Sequence, residues 1–178
     1  TMDQVARRAR ISRALLYVYF KDKSDLRYGL CDRGLELLTA RFQEAAARNR
    51  TGLEQIAAMG RAYVAFSQEF PVYFDALARF QAREAQPGEP GSSVGACMAG
   101  GERVHQIMVT SVSTGVRDGS ISAAAGTPIS IAMTLWGFMH GIIQLTATKG
   151  QVLAQYGLTG KSLVEQALHL AGRGLSPE

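Results

Sequence analysis

The chain has 178 residues, of which 47% are hydrophobic and 19% charged, a balance that is ordinary for a soluble globular protein and excludes a disordered one. Its net charge of +4 is unevenly placed, because residues 1–50 hold eleven Lys or Arg against six Asp or Glu, a net of +5, whereas residues 51–178 hold eight against nine, a net of −1. A positive charge concentrated in one segment favours phosphate binding over a general effect on solubility.

Cysteine is rare. Cys31 and Cys97 are the only two, both lie in helical patterns, and no signal peptide is visible. A disulfide framework is therefore not expected, and the protein is predicted to be reduced and cytoplasmic.

Residues 1–26 predict two short helices, a tight turn and the start of a third helix. Thr1 and Gln4 form a capping-box pair, so the first helix begins at residue 2, while Ser12 and Asp22 are good N-caps for the next two. The predicted inward positions are Val5, Ala6, Ala9, Leu15, Leu16, Tyr19 and Phe20, and the predicted outward positions of the second helix are Arg13, Ala14, Tyr17 and Val18. Helix, turn, helix is a DNA-reading unit. The alternative is an ordinary helical hairpin with a basic, solvated face.

This segment resembles the DNA-binding end of the tetracycline-repressor (TetR) family of transcriptional regulators. The family spacing is matched by Thr1, Val5, Ala6, Ala9, Ile11, Ser12, Leu16, Tyr17, Tyr19, Phe20, Lys23 and Leu26. Two family glycines are replaced, by Arg10 in the turn and by Ala14 early in the second helix, and an Arg in left-handed backbone is unfavourable. The family also has a helix before Thr1, so we expect the chain to be part of a longer protein.

The resemblance implies different DNA contacts for different residues of the second helix and its flanks. Bases or the groove would be met by Arg13, Ala14, Tyr17 and Val18, and the DNA-binding set is completed by Thr1, Ser12, Tyr19 and Lys23, of which Thr1, Tyr19 and Lys23 would contact phosphates. Leu15 stands where a small polar residue is usual.

Further helices follow in order. A long helix is predicted from Lys23 to Ala47, which in the family joins the DNA-binding part to the rest. Thr51 and Glu54 open a helix reaching Phe70, and Pro71 opens one that we expect to stop at Gln86–Pro87. The segment Gln86–Gly95 is predicted to be a mobile loop, followed by a helix over about residues 96–117.

The segment Ile129–Thr148 contains no Asp, Glu, Lys or Arg and is long enough to span a bilayer. Its Ser, Thr, His and Gln residues, however, are costly in lipid. We predict a buried helix and no membrane association, the alternative being a membrane-bound protein. Gly137 and Gly141 permit close approach of a neighbouring backbone. The stretch LWGFMHG resembles the family's subunit interface, which with the last helix, about residues 161–172, implies an interface containing Trp136, Gly137, His140, Gly141, Leu163 and Leu168.

The chain carries no recognisable catalytic motif, and its three histidines are scattered, so neither a metal, a cofactor nor enzymatic activity is predicted. Aromatic and Met residues are frequent in its middle. Such residues fill ordinary cores or line apolar pockets. By the resemblance they would surround an effector cavity, and the predicted ligand-binding residues are Tyr63, Phe66, Phe70, Phe74, Met98, His105, Met108 and Phe138.

Together these features predict an all-α protein with a helix-turn-helix domain over residues 1–46 and an effector-binding and dimerisation domain over 47–178. The predicted function is a homodimeric repressor that binds palindromic double-stranded operator DNA and is released by a small apolar or aromatic effector. The alternative is a carrier or enzyme that uses the same helical cavity.

Overall fold

The computed structural model describes residues 1–80 and 92–177, and every regular element within those ranges is helical, which confirms the all-α prediction. The helices are α1 (Met2–Ala9), α2 (Arg13–Tyr19), α3 (Lys23–Ala47), α4 (Gly52–Glu69), α5 (Pro71–Ala78), α6 (Ser93–Asp118), α7 (Pro128–Thr148), α8 (Gly150–Gln155) and α9 (Gly160–Leu175). A single 3-10 turn, Ala123–Ala125, precedes α7 in the described chain.

The chain forms two compact units. The first contains Thr1–Leu37 and Phe70–Glu102, and the second contains Leu38–Glu69 and Arg103–Glu178. Helices α3 and α6 therefore each contribute residues to both units. The predicted division into residues 1–46 and 47–178 stays a prediction.

The predicted helix starts are present. Side-chain oxygens of Thr1, Ser12, Asp22 and Thr51 each accept a hydrogen bond from a backbone N–H in the first turn of the helix that follows. Pro71 occupies the first turn of α5, where its missing N–H is not needed. Local side-chain chemistry therefore sets these boundaries.

The region around the predicted loop differs from expectation. Helix α5 ends at Ala78, earlier than the Gln86–Pro87 stop, and α6 begins at Ser93 inside the stretch predicted to be a loop. The reason for the early start is a cap, because the Ser92 hydroxyl oxygen accepts a hydrogen bond from the N–H of Gly95 at 3.2 Å. Residues 86–91 of the predicted loop lie outside the described residues.

The start of α4 is fastened to the end of α6 within the second unit. The N–H of Gly52 donates to the carboxylate of Asp118 at 2.9 Å, and the N–H of Leu53 donates to the hydroxyl of Ser120 at 3.1 Å. A Cβ at Gly52 would lie 2.0 Å from the backbone nitrogen of Gly115, so this crossing of two helices requires a glycine.

Within the single chain, helix α7 is only partly buried. Its buried side chains are Ile131, Ala132, Met139 and Ile143, but only 22% of its most apolar 18-residue stretch is buried. By length and composition alone it is the one helix in the described ranges that could cross a membrane. The sequence could not separate burial within the chain from burial by a partner, because both require the same apolar residues.

Candidate DNA-binding surface and ligand cavity

A small core supports the first three helices. Met2, Ala6 and Leu16 are buried, and the partly buried side chains packed against them are Ile11, Phe20 and Leu26. Several residues predicted to face inward are instead exposed, namely Val5, Ala9, Leu15 and Tyr19. For Leu15 and Tyr19 the reason is length: α2 has seven residues and buries one of them, Leu16, so its inner side is narrower than the apolar pattern suggested.

The turn between α1 and α2 uses a residue that is not suited to it. Arg10 has φ 57° and ψ 38°, the left-handed region, and is the one non-glycine residue with positive φ among those described. Its N–H donates to the carbonyls of Ala6 and Arg7, which closes the end of α1. The turn is therefore regular despite the missing glycine, at a cost of roughly 1–2 kcal/mol in backbone strain.

The outer side of α2 presents one continuous surface, here called the reading surface, formed by Arg13, Ala14, Tyr17 and Val18. All four are exposed, as predicted, with Val18 at 76%. The guanidinium of Arg13 lies 5.4 Å from the centroid of the Tyr17 ring, and its Nη1 is 3.2 Å from the Asp3 carboxylate. Hydrogen bonding with Tyr17 and the charge of Asp3 raise the pKa of Arg13, which therefore carries a full positive charge.

The other predicted DNA-binding residues flank this surface. Thr1, Ser12, Tyr19 and Lys23 are all exposed. The hydroxyl oxygens of Thr1 and Ser12 accept hydrogen bonds from helix backbones. Such an oxygen retains a hydroxyl hydrogen that can donate to a phosphate. Their assignment to phosphate or base contacts stays a prediction.

The second unit contains an apolar cavity of about 480 Å³. Its apolar walls include Phe42, Leu53, Ile56, Met59, Gly60, Tyr63, Met108, Leu135, Trp136, Met139, Leu168 and Leu175, and its polar lining includes Asn49, Glu54 and Arg61. This volume lies within the usual range for small-molecule sites. A mainly apolar lining with a few polar groups is also typical of such sites.

Three aromatic side chains of α4 and α7 lie close together at the cavity. The Tyr63 hydroxyl lies 2.9 Å from Nδ1 of His140, and the Trp136 ring centroid lies 6.4 Å from that of His140. Burial raises the pKa of Tyr63 to about 12, outweighing the opposite effect of Trp136. Burial lowers the pKa of His140, so at neutral pH a protonated tyrosine meets a neutral imidazole. The hydrogen bond therefore joins two neutral groups, and the tautomer of His140 decides which of them donates.

The predicted ligand-binding residues are only partly brought together. Tyr63 and Met108 line the cavity, and His105 packs its ring 5.1 Å from that of Trp136. Phe66 is fully buried, Phe138 is 38% exposed, and the remaining three, Phe70, Phe74 and Met98, belong to the first unit. Ligand contact by those not lining the cavity stays a prediction.

Sequence reasoning missed the wall that α4 supplies. Leu53, Ile56, Gly60 and Tyr63 recur at helical spacing on one side of that helix, a signal present in the sequence. A glycine suits position 60 in that row, since a Cβ there would lie 2.7 Å from a methyl carbon of Leu168. Of the four residues in this row only Tyr63 is aromatic, so enrichment in aromatic and Met residues does not reveal it.

The predicted interface residues occupy mixed environments. Trp136, Gly137 and Gly141 are exposed, Leu163 is half-buried, Leu168 lines the cavity, and His140 is half-buried in the Tyr63 network. A Cβ added at Gly137 or Gly141 would meet nothing within 4 Å. Neither glycine is therefore required by packing inside this chain.

Metal-binding chemistry has no assembled site in the part of the chain that the structure describes, where no group of three or more His, Cys, Asp or Glu could hold an ion. The polar groups at the cavity are suited to hydrogen bonding instead.

Two protein-family models match the chain. One, described as "Tetracyclin repressor-like, C-terminal domain", matches residues 56–170, and the other, "Bacterial regulatory proteins, tetR family", matches residues 1–27. The second match covers the helix-turn-helix described above. No curated protein matches the chain.

Solved structures share the fold. A protein with unknown function from a Rhodococcus species is 25% identical with a TM-score of 0.76, over 99% of this chain and 85% of that one. The TetR family transcriptional regulator PfmR from Thermus thermophilus is 16% identical with a TM-score of 0.74, over 99% and 90%. AibR, solved in complex with isovaleryl coenzyme A and operator DNA, is 15% identical with a TM-score of 0.74, over 96% and 85%.

Proposed function

The chain belongs to the tetracycline-repressor (TetR) family and is a ligand-responsive transcriptional regulator, and on that premise we propose that it is a cytoplasmic, homodimeric repressor released from palindromic operator DNA by a small, mostly apolar effector. The observation that carries the proposal is the presence, in one chain, of an exposed reading surface and an apolar cavity of about 480 Å³.

The proposed DNA contacts follow from exposure and charge. Arg13 is charged and stands on the exposed side of α2, and a major groove is wide enough to admit such a helix and to let an arginine pair with guanine. Tyr17 and Val18 add apolar surface suited to a thymine methyl group. Lys23 supplies charge at the start of α3 for the backbone, which positions the protein without reading sequence.

The proposed homodimer is supported by the outer side of α7. Trp136 is 43% exposed and Leu145 is 39% exposed on a helix without charged residues, next to two glycines at which a Cβ would meet no described atom within 4 Å. An apolar surface of this kind marks an interaction site in soluble proteins. A two-fold partner would cover it and would place two reading surfaces in the symmetry that a palindrome requires.

The proposed effector is mainly apolar, aliphatic or aromatic, with one polar group. The walls accept the apolar body, and the Tyr63–His140 pair or the exposed Arg61 would receive the polar group. AibR, which shares the fold, was solved with a coenzyme A thioester, so an acyl thioester is one class to include in a screen. Helix α3 includes Lys23 and, in the cavity wall, Phe42, which makes it the element through which an occupied cavity would alter DNA binding.

The test is a selection of duplex DNA from a random pool, followed by fluorescence anisotropy of the selected duplex. We expect a palindromic site, affinity that falls steeply with salt, and release by a ligand that binds the cavity. Reciprocity requires the duplex to weaken ligand binding by the same factor. Enrichment of no duplex would refute the proposed operator binding, and equal ligand affinity with and without DNA would refute release by the effector.

A further inference from the structure

The apolar cavity of the second unit has charged side chains at two places in the part of its lining that the structure describes. They are Glu54 and Arg61, both on α4 and both exposed. The two residues are seven positions apart in the chain, which corresponds to about 10 Å along a helix axis. Because exposed charges at that distance are largely screened by salt, each acts on its own stretch of the cavity wall.

The Glu54 carboxylate is already engaged by the backbone. Its Oε2 accepts hydrogen bonds from the N–H of Arg50 at 3.1 Å and from the N–H of Thr51 at 3.0 Å. These bonds hold the carboxylate at the first turn of α4, where a negative charge stabilises a helix. A cationic ligand would have to compete with the helix start for Glu54, so the cavity is poorly suited to a cation.

Arg61 is not engaged in this way. Within the described ranges its guanidinium takes part in no ion pair or hydrogen bond. The lining residues next to it, Ala57 and Gly60, and the Leu168 side chain that faces Gly60 offer no acceptor side chain. A guanidinium presents N–H donors in a planar fork that matches the two oxygens of a carboxylate. The cavity therefore combines an apolar wall with an available partner for an anion.

We propose that the effector is a carboxylate with an apolar tail, whose anionic end pairs with Arg61 while its tail lies against Ile56, Met59 and Met139. These three side chains line the cavity and are buried. The orientation follows from solvation, because an anion at an exposed arginine keeps part of its water and avoids most of the desolvation penalty of a buried ion. The inference rests on the proposed function and specifies the class of its ligand.

The experiment compares matched carboxylates and amides on the wild-type protein. Isothermal titration calorimetry gives the dissociation constants of hexanoate, octanoate and decanoate and of their primary amides, which have the same tails without the charge. The chain's single tryptophan, Trp136, lines the cavity, so its fluorescence should change when a probe enters. Each added methylene should tighten both series by up to about fourfold. Each carboxylate should bind about fivefold more tightly than its amide, the upper end for an exposed ion pair, and this preference should fall with salt.

Substitutions separate the charge from the cavity. Arg61→Gln should weaken octanoate by about fivefold and leave octanamide unchanged, whereas Arg61→Lys keeps the charge and should retain most of the preference. The matched control is Arg103→Gln, which removes an exposed arginine of the same unit that is not in the cavity lining and should change neither affinity. The wild-type comparison needs no variant, so it tests the proposal even if a substitution prevents folding.

Equal affinity for octanoate and octanamide in the wild type, or an unchanged preference in Arg61→Gln, would overturn the inference. If octanamide nevertheless released the duplex, the proposed repressor would stand without it. Octanoyl coenzyme A, whose acyl chain ends in an uncharged thioester, would also overturn the inference if it bound more tightly than octanoate and independently of Arg61. Conversely, octanoate that binds through Arg61 but leaves DNA affinity unchanged would support the carboxylate site and contradict release by this effector.

Discussion

The hydroxyl of Tyr63 and Nδ1 of His140 share a hydrogen bond of 2.9 Å, which joins α4 to α7 at the wall of the apolar cavity. The rings are also stacked, with centroids 6.3 Å apart. Both groups keep their neutral forms at pH 7 because burial disfavours either ion. A pair of this kind holds two helices in register and leaves a polar group where an effector would lie.

Tyr63→Phe should lower the free energy of unfolding by roughly 1 kcal/mol or more, because it removes this bond and takes its partner from the His140 nitrogen. Urea denaturation followed by circular dichroism measures the change. The control is Tyr156→Phe, which loses the hydroxyl of a residue that is 76% exposed and should change stability little. If both variants unfold at the same urea concentration, the bond does not contribute to stability.

Stability should also depend on pH through His140. Its pKa is lowered in the folded state below the ordinary histidine value of 6.5, so the unfolded chain binds the proton more readily. The stabilising contribution is therefore complete above about pH 6.5 and is lost as pH falls from there through the folded pKa. His140→Gln should flatten this part of the curve in urea denaturation between pH 5 and 8. An unchanged slope in the variant would exclude His140 as the cause.

Arg10→Gly should stabilise the protein by roughly 1 kcal/mol, because glycine adopts the left-handed conformation of the turn without strain. Arg8→Gly is the matched control: it removes the same charge and adds the same residue, but in the last turn of α1, where glycine is less favourable than other residues because of its low helix propensity. Thermal unfolding of the two variants should shift in opposite directions. Equal shifts would show that charge, not backbone conformation, determines the effect.

DNA selectivity should separate Arg13 from Lys23. Arg13→Ala should change the ranking of duplex sequences, whereas Lys23→Ala should weaken all of them alike and reduce the salt slope by about one. Asp3→Asn should tighten binding, because it removes the carboxylate that pairs with Arg13 at 3.2 Å. Competition anisotropy with a panel of duplexes measures all three. Identical rankings for the two Ala variants would refute the division into base and phosphate contacts.

The subunit interface can be tested with glycines that have space around them. A Cβ at Gly141 would meet nothing within 4 Å in the described part of the chain, whereas the side chain of Gly141→Leu would obstruct a partner against α7, so monomers are expected in sedimentation velocity at micromolar concentration. Gly101→Leu on α6 adds the same side chain, also into open space, and should leave the dimer intact. A dimer that persists in Gly141→Leu, or a monomeric wild type, would place the interface elsewhere or remove it.

Local chemistry was predictable from the sequence and burial was less so. The caps at Thr1, Ser12, Asp22 and Thr51 depend on one side chain and a nearby N–H, and all are found. The start of α6 was misplaced because Ser92 stands among glycines and prolines that conceal its capping role. A cap is a local property, whereas inward or outward facing depends on what else packs nearby.

The cavity shows the same limit. Periodicity indicates that Tyr63 lies on an apolar side of α4, but nothing in the sequence distinguishes a side that fills a core from one that borders empty space. Tyr63 and Met108 were found and Gly60 was not, because a cavity is defined by the atoms that are missing between helices. His140, predicted as an interface residue, hydrogen-bonds with Tyr63, and Trp136, predicted likewise, lines the cavity beside it.

The fastening of α4 to α6 implies that the second unit opens cooperatively. The amides of Gly52 and Leu53 are held by Asp118 and Ser120, more than sixty residues later, and Ser122 in turn donates its N–H to the carbonyl of Leu175 at 2.8 Å. Fraying at the first turn of α4 therefore has to break the hydrogen bonds to the last residue of α6 and to the segment after it as well. In hydrogen–deuterium exchange the amides of Gly52, Leu53 and Ser122 should exchange at one common rate, slower than a helix end usually allows.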